Sequence, residues 1–255
     1  MNTVRESSTA RFDDAARERD APAARRVASI DALRAIALIA MMAYHFCFDL
    51  RYFRIIAPDF EHDPFWLTAR TIILSSFLLL AGVSLVLADA RKASSAQFWW
   101  HVGMIAGCAM LISATTYFMF PVTFIWFGVL HAIAVSLVLA RPLVHFPKTA
   151  LVIGLIAIVV GVTYSNSAFN QFALGWIGFI TVRPYTDDYV PLFPWTGVLL
   201  CGIPLGHALI RNRFAVLSSL ATPPLWLAWL GRHTLAIYMV HQPILFGALW
   251  LIVGR

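Results

Sequence analysis

The chain has 255 residues, 60% of them hydrophobic and only 13% charged, with a formal net charge of +6. Soluble domains run nearer ~45–50% apolar and ~25% charged, so this balance excludes an ordinary soluble domain and indicates a polytopic membrane protein. The positive charge does not point to nucleic acid, because the cations cluster at the ends of hydrophobic runs, where they set topology.

Residues 1–28 mix Arg, Asp, Glu, Ser and Ala without an apolar face or a signal-peptide core. They are expected to form a disordered cytoplasmic tail, with residues 29–255 making one transmembrane domain. Seven hydrophobic spans follow, at roughly 30–50, 66–90, 97–119, 122–140, 149–166, 193–210 and 233–252. Breaks fall at Pro121 and at Pro223-Pro224, and residues 214–230 read as a short interfacial helix with Trp226 and Trp229 at headgroup level. The expected fold is all-α, a polytopic membrane helix bundle of about seven transmembrane helices. Placing the N-terminus inside puts Arg25, Arg26, Arg91, Lys92, Arg141, Lys148, Arg211, Arg213 and Arg232 on the inner side. Only Arg51, Arg54, Arg183 and Arg255 then lie outside, which fits the positive-inside rule. Cys47, Cys108 and Cys201 lie in or beside apolar runs; they suggest neither a disulfide framework nor a metal site and read as small apolar fillers.

Ionisable groups inside spans are costly and mark candidate function. In the first span, taking Asp31 as zero, Arg34 falls at about 300°, His45 at about 320° and Asp49 at about 0°. The four share an arc of roughly 60° and run about 27 Å, nearly the hydrocarbon thickness. Asp31 and Arg34 also fit a simple i, i+3 anchor at the inner interface. His45 is less easily explained by snorkelling, and Asp49 one turn above it could orient its ring.

The last span carries Tyr238, His241 and Gln242 on one face, just before Pro243. These residues suit either a functional site or interhelical hydrogen-bonding. His131 reads as another mid-span histidine, and Arg70 as an outward snorkel or a partner for Asp49 or Asp63. In the first outer segment, His62 is flanked by Glu61 and Asp63, which could orient it. Asp187, Asp188 and Tyr189 in "YTDDYVPLFPW" suit sugar binding, or a turn capped by Asp ahead of the sixth span. There is no P-loop, dinucleotide fingerprint, GxSxG or HExxH.

The segments "RVASIDALRAIALIAMMAYHFCFDLRYF", "HDPFWLTARTIILSSFLLLAGVSL", "WFGVLHAIAV", "DDYVPLFPWTGVLLCGI" and "GRHTLAIYMVHQPIL" together resemble the bacterial branch of the heparan-α-glucosaminide N-acetyltransferase catalytic domain family. The resemblance covers about residues 26–250. The pattern of Arg26, Asp31, Arg34 and His45 is also similar to the wider transmembrane acyltransferase superfamily. It implies an integral protein of a bacterial inner membrane that moves an acetyl group from cytosolic acetyl-CoA, or another acyl-CoA, to an amine or hydroxyl of a sugar or glycan on the outer face. In the lysosomal relatives a histidine of the first outer loop is catalytic, and His62 stands at the corresponding place. His45 corresponds to an asparagine there, but to a histidine in the polysaccharide acylators. Either histidine therefore remains a candidate base, with Asp49 beside His45. The chain is shorter than the lysosomal enzymes and has fewer spans.

CoA phosphates need cations, and Arg34 and Arg26, with Asp31 beside them, are the nearest inner candidates. Arg70, Asp187, Asp188, Tyr189 and His241 are the candidate acceptor-binding residues. No metal and no nucleic acid is expected; the partners are the acyl-CoA, the glycan acceptor and the lipid bilayer, and a homo-oligomer is left open. Two other readings stay open: a small-solute or proton-coupled transporter using the polar stripe, and a structural subunit of an envelope complex.

Overall fold

The computed structural model describes residues 3–220 and 222–254, with side chains from Ala28 onward except that of Ser219. The tail expected over residues 1–28, Arg26 included, falls but for Ala28 outside the residues described with side chains. The first helix, α1 (Thr3–Tyr52), contains the apolar span Ala28–Tyr52. It is followed by α2 (Pro64–Ala90), α3 (Ser95–Met119), α4 (Val129–Ala140) and α5 (Pro147–Thr163). A four-residue turn, α6 (Phe172–Gly175), leads to α7 (Leu192–Arg211), α8 (Leu225–Arg232) and α9 (Thr234–Val253). The architecture is an all-α polytopic membrane bundle. Among the described residues, five helices are long and apolar enough to cross a bilayer: the span in α1, then α2, α3, α7 and α9.

The helix ends follow local chemistry. Asp63 caps α2 by accepting from Phe65 N at 2.8 Å, with Pro64 in the first helical position. Ser94 and Gln97 form a reciprocal capping box at the start of α3. Gly254 ends α9 with φ 71°, a left-handed conformation that costs glycine little.

The fourth span departs from expectation. Residues 122–140 are not one helix: α4 has only 12 residues, about 18 Å, against a hydrocarbon core of ~30 Å. Residues 121–128 ahead of it are non-helical. Non-helical backbone at membrane depth must be satisfied by other protein groups. The segment 186–190 does this: Asp187 N donates to Thr123 O at 3.0 Å and Val190 N to Phe127 O at 3.1 Å. The Thr186 hydroxyl donates to Phe124 O at 2.7 Å. Of the interfacial stretch 214–230, only Leu225–Arg232 is α-helical, preceded by a 3₁₀ turn at Ala215–Leu220.

Helix α7 lies against α2, α4 and α5. Small residues allow the close approach: a Cβ on Gly82 of α2 would meet the α7 backbone at Leu199 and Gly202, and Gly154 of α5 faces Gly197 of α7. A buried hydroxyl pair, Ser136 to Thr196 at 2.7 Å, joins α4 to α7. Helix α1 lies against α2, α8 and α9. Exposed apolar residues such as Trp100, Phe118, Val162 and Leu251 face outward, as a lipid-covered bundle requires.

Candidate functional site

The four residues of the α1 stripe end up in two different surroundings. At the lower end, Arg34 pairs with Asp31 at 3.0 Å, the anchor its i, i+3 spacing allows. The second guanidinium arm donates to Ser84 of α2 at 2.5 Å. Arg91 and Arg232 lie in the field of Asp31, and His101 of α3 lies in that of Arg34. This end therefore gathers three guanidinium groups around one carboxylate, with the His101 imidazole in the field of one of them. Only Asp31 and Arg34 were legible as site residues. Ser84 could have been sought from the fork geometry of Arg34, which leaves a second arm needing an acceptor.

At the upper end, α9 closes on α1. Rings of His45 and His241 meet edge-on, 5.2 Å between centroids at 65°. Gln242, the next residue of α9, donates from Nε2 to Asp49 Oδ1 at 2.6 Å. Asp49 thus bonds across to α9 and not to His45, the partner that its i, i+4 spacing suggested. An amide N–H from the facing helix reaches a carboxylate 1% exposed, where His45 offers Asp49 only a neighbour one turn down. His241 Nδ1 sits 2.6 Å from the Tyr238 carbonyl. Three buried polar atoms at this junction have no hydrogen-bond partner: Asp49 Oδ2, His241 Nε2 and Gln242 Oε1. Buried polar atoms are nearly always satisfied, and leaving one unpaired costs about 1–3 kcal/mol, so three in one place set this junction apart from an ordinary packed helix contact.

The other sequence candidates lie elsewhere. His62 is on the open surface, its side chain 80% exposed, with Nδ1 3.0 Å from Asp59 Oδ2. Asp59, three residues back, orients it; Asp63 is engaged as the α2 cap. The amide N–H of Glu61, then those contacts with His62, hold the Asp59 carboxyl below its ordinary value. Arg70 makes no ion pair with Asp49 or Asp63 among the described residues. It lies instead in the field of Asp188, Arg183 and Tyr44.

His131 is not mid-span. Because α4 starts late, it sits in the first turn, with Nδ1 accepting from Gly128 N at 3.2 Å and Nε2 3.3 Å from Ser113 Oγ. Asp188 Oδ2 accepts from Val129 N at 3.0 Å and so caps α4, not the sixth span. Asp187 accepts from the Thr123 hydroxyl at 3.0 Å, and the Tyr189 hydroxyl donates to Gly175 O at 2.5 Å.

A polytopic all-α bundle that lines charged and imidazole groups along one helix, and leaves polar atoms unpaired at its far end, carries the kind of intramembrane polar groups that commonly mark function in membrane proteins. Residues 26–243 match the model of the family described as heparan-alpha-glucosaminide N-acetyltransferase, catalytic. The chain belongs to this family and is a membrane acetyltransferase. No curated protein and no solved structure matches it.

Proposed function

We propose that this membrane acetyltransferase takes its acetyl group from acetyl-CoA, or another acyl-CoA, bound at the Asp31 end. The transfer then occurs at the junction of His45 and His241, to an amine or hydroxyl of a sugar reaching in from the Asp49 end. The supporting observation is that one polar face of α1 runs from an arginine-rich end to a cluster of unpaired buried polar atoms. Arg34, with Arg91, Arg232 and Arg26, supplies the cations that phosphate groups of the donor need, and Asp31 holds Arg34 in place.

A neutral His45 removes the proton from the acceptor N–H or O–H as that atom attacks the acetyl carbon. The carbon–sulfur bond breaks, and the CoA thiolate takes the proton back from His45. His62 stands at the rim, on the route of the acceptor, with Arg70, Asp187, Asp188 and Tyr189 forming the opposite wall. This reading places the protein in a bacterial inner membrane with its N-terminus in the cytoplasm.

The test is acetyl-CoA-dependent labelling of an outer-face glycan by protein in proteoliposomes. Transfer by the wild type, lost in His45→Ala with CoA binding kept, is the expected result. Absence of both CoA binding and transfer in the wild type overturns the function. Full activity of His45→Ala removes the base from His45.

A further inference from the structure

The spacing along α1 offers Asp49 as the group that orients His45, but Asp49 is bonded to Gln242. Another residue, His241, lies against the His45 ring. The Tyr238 carbonyl can only accept, so His241 Nδ1 carries the ring proton in their 2.6 Å contact. In the neutral ring this makes Nε2 a lone-pair acceptor and nothing else. That Nε2 is buried and unpaired, in a residue 5% exposed. Two rings touch His241. Tyr238 lies on the same helix, with its hydroxyl in the field of Asp188. His45 comes from the opposite helix, edge-on at 5.2 Å between centroids.

We propose that His45 and His241 form a dyad: their rings touch without a hydrogen bond in this structure, and a turn of the His45 ring about its own axis brings one of its N–H groups to His241 Nε2, which accepts it and so fixes the His45 tautomer. This rests on the reading of His45 as the base. The other His45 nitrogen is then left with a free lone pair, as a base requires. When it takes the acceptor proton, the positive charge on His45 is shared through the hydrogen bond to His241. When the acetyl C–S bond breaks, the same proton passes from His45 to the thiolate and the dyad returns to its starting state. The Asp49–Gln242 hydrogen bond, one residue further along α9, clamps the two helices in the register that sets the rings opposite each other. His241 is thus a positioning residue, and an imidazole performs the service that a carboxylate performs in a Ser-His-Asp triad.

The test compares His241→Leu with His241→Gln in detergent-purified protein carrying ¹⁵N-labelled histidine. The glutamine retains an oxygen able to accept from His45; the leucine fills the space and accepts nothing. In the wild type the His45 resonances should show one fixed tautomer, and in His241→Leu a mixture. In His241→Leu kcat should fall on the order of 10–100-fold, the usual effect of losing an orienting partner, with KM and CoA affinity unchanged. His241→Gln should restore the tautomer and most of the rate. Identical His45 resonances in wild type and His241→Leu, or a glutamine variant no better than leucine, overturn the dyad. A wild type that transfers no acetyl group overturns the function instead, and the nitrogen resonances still decide the dyad.

Discussion

Two polar regions of this bundle are built on opposite plans. Where segments 121–128 and 186–190 meet, the polar side chains have partners. Asp188 caps α4, Asp187 and Thr186 tie to Thr123 and Phe124, and Tyr189 holds Gly175. His131, beside them, has a contact at each ring nitrogen. Where α1 meets α9, Asp49, His241 and Gln242 each keep one buried polar atom unpaired. Both regions carry carboxylate, histidine and aromatic side chains, so residue type does not tell them apart. Satisfaction does: a satisfied network rigidifies the bundle, and an unsatisfied one leaves buried acceptors without donors.

The contrast can be broken by mutation, and the largest effect belongs to the unpaired region. His45→Ala is expected to lower kcat by about 10²–10⁴-fold, the usual contribution of a general base, with the melting temperature and CoA affinity little changed. Gly202→Leu, within the α2–α7 contact, should destabilise by about 1–3 kcal/mol through overpacking, read as a fall in melting temperature in detergent. Asp188→Ala should cost about 0.5–2 kcal/mol for the lost cap of α4, with the remaining folded protein still able to bind CoA. His131→Leu should cost about 1 kcal/mol of stability and leave kcat close to wild type, since its hydrogen bonds serve the fold. His62→Ala is expected to have the smallest effect, within ~10-fold on rate, because its ring is exposed and bonded only to Asp59. A loss as large as that of His45→Ala would transfer the base to His62 and reverse the comparison.

Much of the fold was legible because lipid imposes simple demands. Each of the seven apolar runs contains a helix, as buried backbone polar groups require. The α1 stripe was legible too, since helical phase alone aligns Asp31, Arg34, His45 and Asp49. Phase also put Tyr238, His241 and Gln242 on one face of α9. The short α4 was not legible, because an apolar run reads the same whether its first residues are helical or extended and held by a distant segment. The cap that starts it, Asp188, is 59 residues away in the chain.

By itself, then, the sequence determined the class of protein, the helices and the polar faces of α1 and α9, all of which depend on composition and on neighbours within a few turns. Only the tertiary structure decided which face meets which. It brought His241 to His45 and Gln242 to Asp49, gave Asp188 to α4, and left His62 in the open. The physical reason is that hydrogen-bond partners in a membrane bundle are chosen across helices, by register and distance, and no local spacing encodes that choice.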